Sequence, residues 1–257
     1  MSSILRMLSK RSAAIAQSFG ARASSYEENA DLQRTVAKRL ARLLPPLSAP
    51  RVLELGCGTG LFSRHLLAGY PNGALLLTDL APSMVEQCRL NLAGPGKRVS
   101  FDIMDAALPT ADGPFDLIAM SMTLHWLADP AAALALLQKR LAPNGVLVFA
   151  TIGGESFPEW RDALVAQGLP IGLLDIPDLP GIVDEQRLVV DADTLGFLRR
   201  MKAIGSLTPR EGYAPLPAGA LRRAVRAADE THGGRVTWHI VYGRLAASQS
   251  SPSIRPA

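Results

Sequence analysis

Cysteine is nearly absent from this chain of 257 residues: Cys57 and Cys88 are the only two. A pair cannot build a disulfide framework or a four-ligand zinc site, so no metal is expected. Two isolated thiols fit a reducing compartment such as the cytoplasm. Long apolar runs are also missing. The longest, such as residues 145–150, fall well short of the ~18–20 residues that cross a bilayer, which excludes a transmembrane chain. Aromatic residues amount to 5% and are not interleaved with a basic stretch, so no stacking surface for nucleic acid is expected. Acidic residues are absent from the first 25 positions, which hold Arg6, Lys10, Arg11 and Arg22 among several serines. That composition matches a mitochondrial transit peptide, the alternative to a cytoplasmic address. No apolar stretch marks a secretory signal, and an ordinary basic helix is the preferred reading.

What is there suffices for a folded core. Hydrophobic residues make up 48% and charged residues 19%, which argues against disorder. The length suits one large domain or two small ones. Charge is spread unevenly. Residues 1–50 hold 8 Lys/Arg against 3 Asp/Glu, residues 51–194 hold 9 against 17, and residues 195–257 hold 10 against 3. The basic ends are either solvated helix faces or a positive surface that steers an acidic partner.

Apolar strands alternate with helical patterns from residue 31 onward. Asp31 caps a helix whose apolar stripe is Leu32, Val36, Leu40 and Leu43, ended by Pro45-Pro46. Strands are predicted at 51–55, 74–79, 99–104, 115–121 and 146–151, with helices at 62–67, 82–92 and 130–141. Pro143-Asn144-Gly145 marks the stop after the last of these helices. Such an order implies crossovers, hence an α/β fold with a mostly parallel sheet and helices on both faces. Beyond Thr151 the pattern predicts a helix at 157–167, a Gly/Pro-rich loop or lid at 168–183, and strands at 186–190 and 235–242. Helices at 194–204 and 218–231 lie between those strands, and 246–257 reads as a flexible tail.

The segment Glu54-Leu-Gly56-Cys-Gly58-Thr-Gly60 follows a strand and precedes a helix. Glycines there let the backbone turn tightly and approach a ligand, and the helix start offers free N–H groups. The spacing is not the G-x-G-x-x-G of dinucleotide sites. Asp79 ends the second strand, where a carboxylate can accept from both hydroxyls of a ribose; the alternative is a cap on the helix from Pro82. Asp105, followed by small Ala106, could accept from an adenine amine or simply close a turn. Cys57 has no base or cation nearby in sequence to activate it and reads as a small filler.

Together, "VLELGCGTG", "LLLTDLAPSM", "MDAALP", "FDLIAMSMTLHW" and "LAPNGVLVFAT" over residues 50–152 resemble the class I S-adenosylmethionine-dependent methyltransferases in order and spacing. The resemblance implies a Rossmann-like fold with a seven-stranded sheet and S-adenosyl-L-methionine as cofactor. Glu54, Gly56, Gly58 and Gly60 would lie along its methionine part and Asp79 at the ribose. Met84 and Ala106 would lie beside the adenine, Asp105 at its amine and Ser121 near the sulfonium. Three flanking segments, residues 19–33, 198–205 and 236–243, are similar to the malonyl-acyl-carrier-protein O-methyltransferases of biotin synthesis. That likeness covers about residues 10–245 and argues against a long transit peptide. It implies one methyltransferase domain over 1–245. Within it, 10–45 is an N-terminal helical cap, 50–152 the cofactor core, and 153–245 the substrate-side cap with the last strands.

The expected acceptor is a malonyl carboxylate carried on acyl carrier protein. On helix 194–204, Leu195, Leu198, Arg199 and Lys202 fall at i, i+3, i+4 and i+7, which puts two cations on an apolar, inward stripe. They either hold the carboxylate or snorkel and pair with an acid. Tyr26 and His125, the latter in Leu124-His125-Trp126, are read as hydrogen-bonding residues that position the acceptor, or else as packed side chains. An ionised carboxylate needs no strong base. Arg222, Arg223 and Arg226, with Arg34 and Lys38, are candidates to dock an acidic carrier. Two alternatives stand: a relative of the mitochondrial complex I assembly factors, some of which hydroxylate arginine, and a non-catalytic module that keeps the cofactor core. The sequence does not fix an oligomeric state.

Overall fold

The computed structural model describes residues 10–92, 94, 96–206 and 212–247. One sheet of seven strands runs in the order β3-β2-β1-β4-β5-β7-β6. Its strands are β1 (Arg51–Leu55), β2 (Ala74–Asp79), β3 (Val99–Ile103), β4 (Phe115–Ser121), β5 (Leu141–Ile152), β6 (Ile182–Asp191) and β7 (Arg235–Ala246). The first five pair in parallel, while β7 lies antiparallel between β5 and β6. Val52, Leu53, Glu54 and Leu55 of β1 are all buried in succession, as expected for a central strand covered on both faces.

Among the described residues eight α-helices surround the sheet: α1 (Lys10–Gly20), α2 (Asp31–Leu40), α3 (Ser63–Gly69), α4 (Pro82–Asn91), α5 (Pro130–Gln138), α6 (Pro158–Val165), α7 (Thr194–Ala203) and α8 (Ala218–His232). One apolar layer joins Val36 and Leu40 of α2 to Leu66 of α3, Phe197 of α7 and the alternate β7 residues Val236, Trp238, Ile240 and Tyr242. The other joins Leu134 and Leu137 of α5 to Leu53, Ile118, Leu147 and Phe149. Arg39 of α2 straps the N-terminal helices to the edge strand: its Nε donates to Asp184 Oδ2 at 2.7 Å and its Nη2 to Oδ1 at 2.5 Å. This bidentate bond holds the Asp184 carboxyl below its usual range. Among the described residues no helix is long and apolar enough to cross a membrane.

Several expected boundaries move. The helix from Pro130 stops at Gln138, and Pro143-Asn144-Gly145 lies inside β5. Pairing jumps there from Phe115–Leu141 to Leu117–Val146, with Asn144 at φ +65°. The turn signal was real, but it builds a bulge in a strand already begun. Asp31 is the first helical residue and does not cap α2; its carboxylate pairs with Arg34. The segment read as a loop or lid to 183 gives way to β6 at Ile182. The tail begins later than expected, since β7 runs to Ala246 and Ala247 N–H donates to Gly145 O at 3.0 Å. The rest of 246–257 lies outside the described residues.

Gly243 of β7 faces Phe149 of β5, and a Cβ there would meet the ring at 2.0 Å. Gly243→Ala should cost about 1–3 kcal/mol in urea unfolding, and Phe149→Leu in that background should recover part of the loss.

Candidate active site

The carboxyl ends of β1, β2 and β4 open into one cavity, where the strand order reverses between β1 and β4. The chain leaves β1 through the glycine turn. Gly56, Gly58 and Gly60 have φ of +76°, +53° and +94°, a region that side-chain-bearing residues enter at a cost. A Cβ on Gly56 would stand 2.1 Å from Thr123 Oγ1, whereas one on Gly58 would meet nothing within 4 Å. The first glycine permits close packing against the segment after β4. The second leaves room in the cradle.

Asp79 fastens this turn. Its Oδ2 accepts from Gly58 N–H and its Oδ1 from Ala81 N–H, both at 2.9 Å. The helix from Pro82 has Ala81 as its cap residue and no side-chain cap; Asp79 bonds the amide of that cap residue and also lines the cavity. Burial raises its pKa, and the backbone donors from Ala81, Gly58 and Leu80 oppose the shift. Glu54 lies behind the turn, fully buried. Ser63 Oγ donates to its Oε2 at 2.6 Å, while Oε1 has no partner. Burial pushes its pKa up to about 8, with the Ser63 bond opposing and Asp79 adding to the shift. Met84, Asp105, Ala106 and Ser121 line the same cavity, and Asp105 Oδ1 accepts from Ala107 N–H at 2.8 Å. Cys57 and Cys88 are free. A hydrogen bond with Cys88, together with burial, raises the Cys57 thiol well above its ordinary pKa.

A roof closes the cavity from the N-terminal side. Ser12, Ile15 and Phe19 of α1, Tyr26 and Gln33 all line it. Tyr26 begins a 3-10 turn, Tyr26–Asn29, and burial, Asp79 and Glu27 raise its pKa well above the usual phenol range. The hydroxyl therefore stays protonated and can donate. Glu27 latches this turn to the floor: its Oε1 accepts from Thr59 Oγ1 at 3.0 Å, Arg64 Nη2 at 2.8 Å and Asn91 Nδ2 at 3.0 Å. The sequence reading missed Gln33, Glu27, Thr59, Thr123 and the α1 stripe. The stripe had a signal, since Ile15 and Phe19 are one turn apart. Gln33 and Glu27 had none, because their partners are distant in sequence.

Three expected site residues are not brought to the cavity. His125 is 6% exposed and turns away: its Nδ1 meets Thr151 Oγ1 of β5 at 3.0 Å. Burial and the nearby Arg11 lower its pKa to about 3, so it is a neutral packed side chain behind the wall, and neighbouring Trp126 takes the cavity face. Arg199 and Lys202 are both exposed. The inward stripe of α7 is Thr194, Phe197, Leu198, Met201 and Ile204, with Phe197 against Phe157 and Trp238. Leu195, taken as the start of the apolar stripe, is itself 41% exposed. Aromatic packing by Phe197 fixes the helix rotation, and the two cations turn outward with Leu195.

These residues fit a nucleoside with an amino-acid arm. Asp79 would offer oxygens to ribose hydroxyls, and Met84 and Ala106 would flank an adenine beside Asp105, all four lining the cavity. The unpartnered Oε1 atoms of Glu54 and Gln33 belong to residues that line this cavity, and with Glu54 ionised they would accept from an ammonium group. A family model described as a methyltransferase domain matches residues 27–229. The fold is also that of an N-methyltransferase, NodS from Bradyrhizobium japonicum, solved with S-adenosyl-L-homocysteine (17% identity, TM-score 0.52, 91% of this chain and 99% of that one). Fold and site define a class I S-adenosylmethionine-dependent methyltransferase. This chain is 38% identical over 250 residues to a malonyl-[acyl-carrier protein] O-methyltransferase of Magnetococcus marinus, covering 91% of this chain and 92% of that protein. A second relative, from Halorhodospira halophila, is 33% identical over 93% of this chain and 88% of its own length. A biotin biosynthesis bifunctional protein of Bordetella avium is 38% identical over 90% of this chain, which spans 51% of that longer protein. The chain belongs to the malonyl-[acyl-carrier protein] O-methyltransferase family.

Two outcomes follow from this geometry. Gly56→Ala should weaken S-adenosylmethionine binding at least tenfold by calorimetry while leaving the circular dichroism spectrum unchanged, because the added methyl displaces Thr123 and bends the turn. The second concerns pH. Glu54 in the folded, cofactor-free protein keeps its proton to about 8, against an ordinary value of 4.5. The unfolded chain has lost that proton, so stability falls as pH rises between these values. His125 acts in the opposite sense, and its contribution is lost only as pH falls from 6.5 toward 3. Between pH 6.5 and 8 the melting temperature should therefore drop, and Glu54→Gln should flatten the slope.

Proposed function

We propose that this enzyme methylates the free carboxylate of a malonyl group carried as a thioester on acyl carrier protein, an early step of biotin synthesis. The observation that carries this reading is the span of the likeness to its relatives. It takes in the roof and α7 as well as the cofactor core, over 91% of the chain. The assembly-factor and non-catalytic readings are not favoured: the glycine turn, Asp79 and Asp105 are intact, and the flanks match carboxylate methyltransferases.

When bound, S-adenosylmethionine supplies a methyl carbon on a sulfonium, the C–S pair staying on sulfur as the acceptor oxygen forms the new C–O bond. The protein holds the acceptor in line and keeps water away. A carboxylate is ionised at neutral pH, so no residue need take a proton. The roof of α1 and Tyr26 excludes solvent. The protonated Tyr26 hydroxyl, which makes no hydrogen bond among the described residues, serves as a donor to the acceptor. Arg222, Arg223 and Arg226, all exposed on α8, and exposed Lys38 on α2 dock the carrier. Arg34 pairs with Asp31 and Glu27 instead. The free, buried thiols are in keeping with a cytoplasmic setting.

Incubation of malonyl carrier with enzyme and cofactor should add one methyl group by mass spectrometry; no gain refutes the reading. Tyr26→Phe should lower kcat about tenfold with cofactor affinity kept within twofold. Charge reversal at Arg222 and Arg226 should raise KM for the malonyl carrier several-fold and leave KM for a short malonyl thioester unchanged.

A further inference from the structure

Arg11 stands on α1 one turn before Ile15 and two turns before Phe19, both of which line the cavity. These positions share one helical stripe. Its Nη1 donates to the Trp126 carbonyl at 3.4 Å, and Trp126 is part of the cavity wall after β4. Its Nε and Nη2 are sealed from solvent and have no hydrogen-bond partner. No carboxylate pairs with it among the described residues, whereas Arg34, Arg39, Arg64, Arg89 and Arg187 each face an acid. The His125 ring beside it is neutral and offers no counter-charge.

Two guanidinium nitrogens shut off from water with no acceptor are a costly arrangement for the free protein. The two orphaned nitrogens are also a matched pair. Nε and Nη2 point along one edge of the guanidinium, the edge that takes both oxygens of a carboxylate at once. Arg39 uses that same edge on Asp184, at 2.7 and 2.5 Å. The missing partner is thus a carboxylate, and two are available to this site: the acceptor's and the methionyl carboxylate of the cofactor. The side of the cavity decides between them. The glycine turn after β1 and the unpartnered oxygens of Glu54 and Gln33 serve the methionine arm. Arg11 stands instead on the roof helix itself, bordering the cavity through its bond to the Trp126 carbonyl of the segment after β4.

We propose that the Nε/Nη2 edge of Arg11 seats the acceptor's free carboxylate. This rests on the carboxylate-methylating reading above and names the residue that selects its substrate. The contact orients the acceptor rather than activating it, because a neighbouring cation lowers the nucleophilicity of an oxygen. Each oxygen keeps a second lone pair free for the methyl carbon. Once one oxygen is esterified the negative charge is gone, the contact with Arg11 weakens, and the product is released in preference to the substrate.

The test is a titration with malonyl-N-acetylcysteamine in the presence of S-adenosylhomocysteine, with the acetyl thioester as the control that lacks the carboxylate. Arg11→Gln should weaken malonyl binding at least tenfold, and Arg11→Lys, which keeps the charge but not the edge, should fall between. The acetyl thioester should bind both variants and the unaltered enzyme alike, and S-adenosylmethionine affinity should stay within twofold. Arg11→Met should raise the melting temperature of the free protein by removing the unpaired charge, an outcome a purely structural arginine would reverse. Unchanged malonyl binding in Arg11→Gln overturns the proposal, as does a tenfold loss of S-adenosylmethionine affinity, which would give the edge to the methionyl carboxylate. Methylation by the unaltered enzyme is measured separately, so failure of the reaction and failure of the Arg11 contact are read from different experiments.

Discussion

The desolvated carboxylate of Asp79 organises the rest of the site. One oxygen takes the Gly58 amide and the other the Ala81 amide, so a single side chain fixes the turn after β1 and the start of α4 together. The bond to Gly58 requires a backbone with positive φ. That explains a run of small residues where a β-strand meets a helix better than any tolerance for flexibility does. Burial works against the charge on Asp79, and the amides hold it in place. The same two acceptor atoms remain able to take hydroxyl donors from a sugar. A sugar bound there would draw on the same group that fixes the turn.

Closure is achieved by a second acid of opposite character. Glu27 is partly exposed and gathers Thr59, Arg64 and Asn91 from three different elements. It ties the roof to the floor through polar contacts that run from buried Thr59 out to exposed Arg64. Such contacts are individually weak and exchange readily with water. The apolar contacts beneath, Phe19 with Trp126 and Tyr26, hold the roof once it is down. A cover held by screened ion pairs over a small aromatic cluster suits a site that must admit a nucleoside and still keep out solvent during transfer.

Much of this was legible in the sequence because the signals were local. The glycine turn, the acids at strand ends and the parallel strands depend on neighbours within a few positions. The rotation of α7 was not local. Leu195, Leu198, Arg199 and Lys202 formed a plausible stripe at helical spacing, but the competing stripe through Phe197 and Met201 prevails because Phe157 and Trp238, some 40 positions away on either side, supply an aromatic pocket. His125 fell to a similar effect: its partner, Thr151, belongs to the next strand, and the 3-10 turn presents Trp126 to the cavity instead. Arg11 carried no site signal in sequence, because one cation among Arg6, Lys10, Arg11 and Arg22 looks like any other solvated charge. Only its enclosure, with two idle donors, sets it apart.

The position of β7 carries a consequence for how the chain assembles. It is inserted between β5 and β6, yet it follows every other described strand in sequence. Until residues 235–246 have left the ribosome, β6 has no neighbour and the outer rim of β5 shows a row of unsatisfied amides and carbonyls, an invitation to intermolecular pairing. The Arg39–Asp184 strap cannot shield that rim, since it tethers β6 to a helix and leaves the gap open. Synthesis therefore passes through an interval in which five-strand ribbons are prone to stick to one another, and a message truncated just upstream of Arg235 would leave the product trapped there.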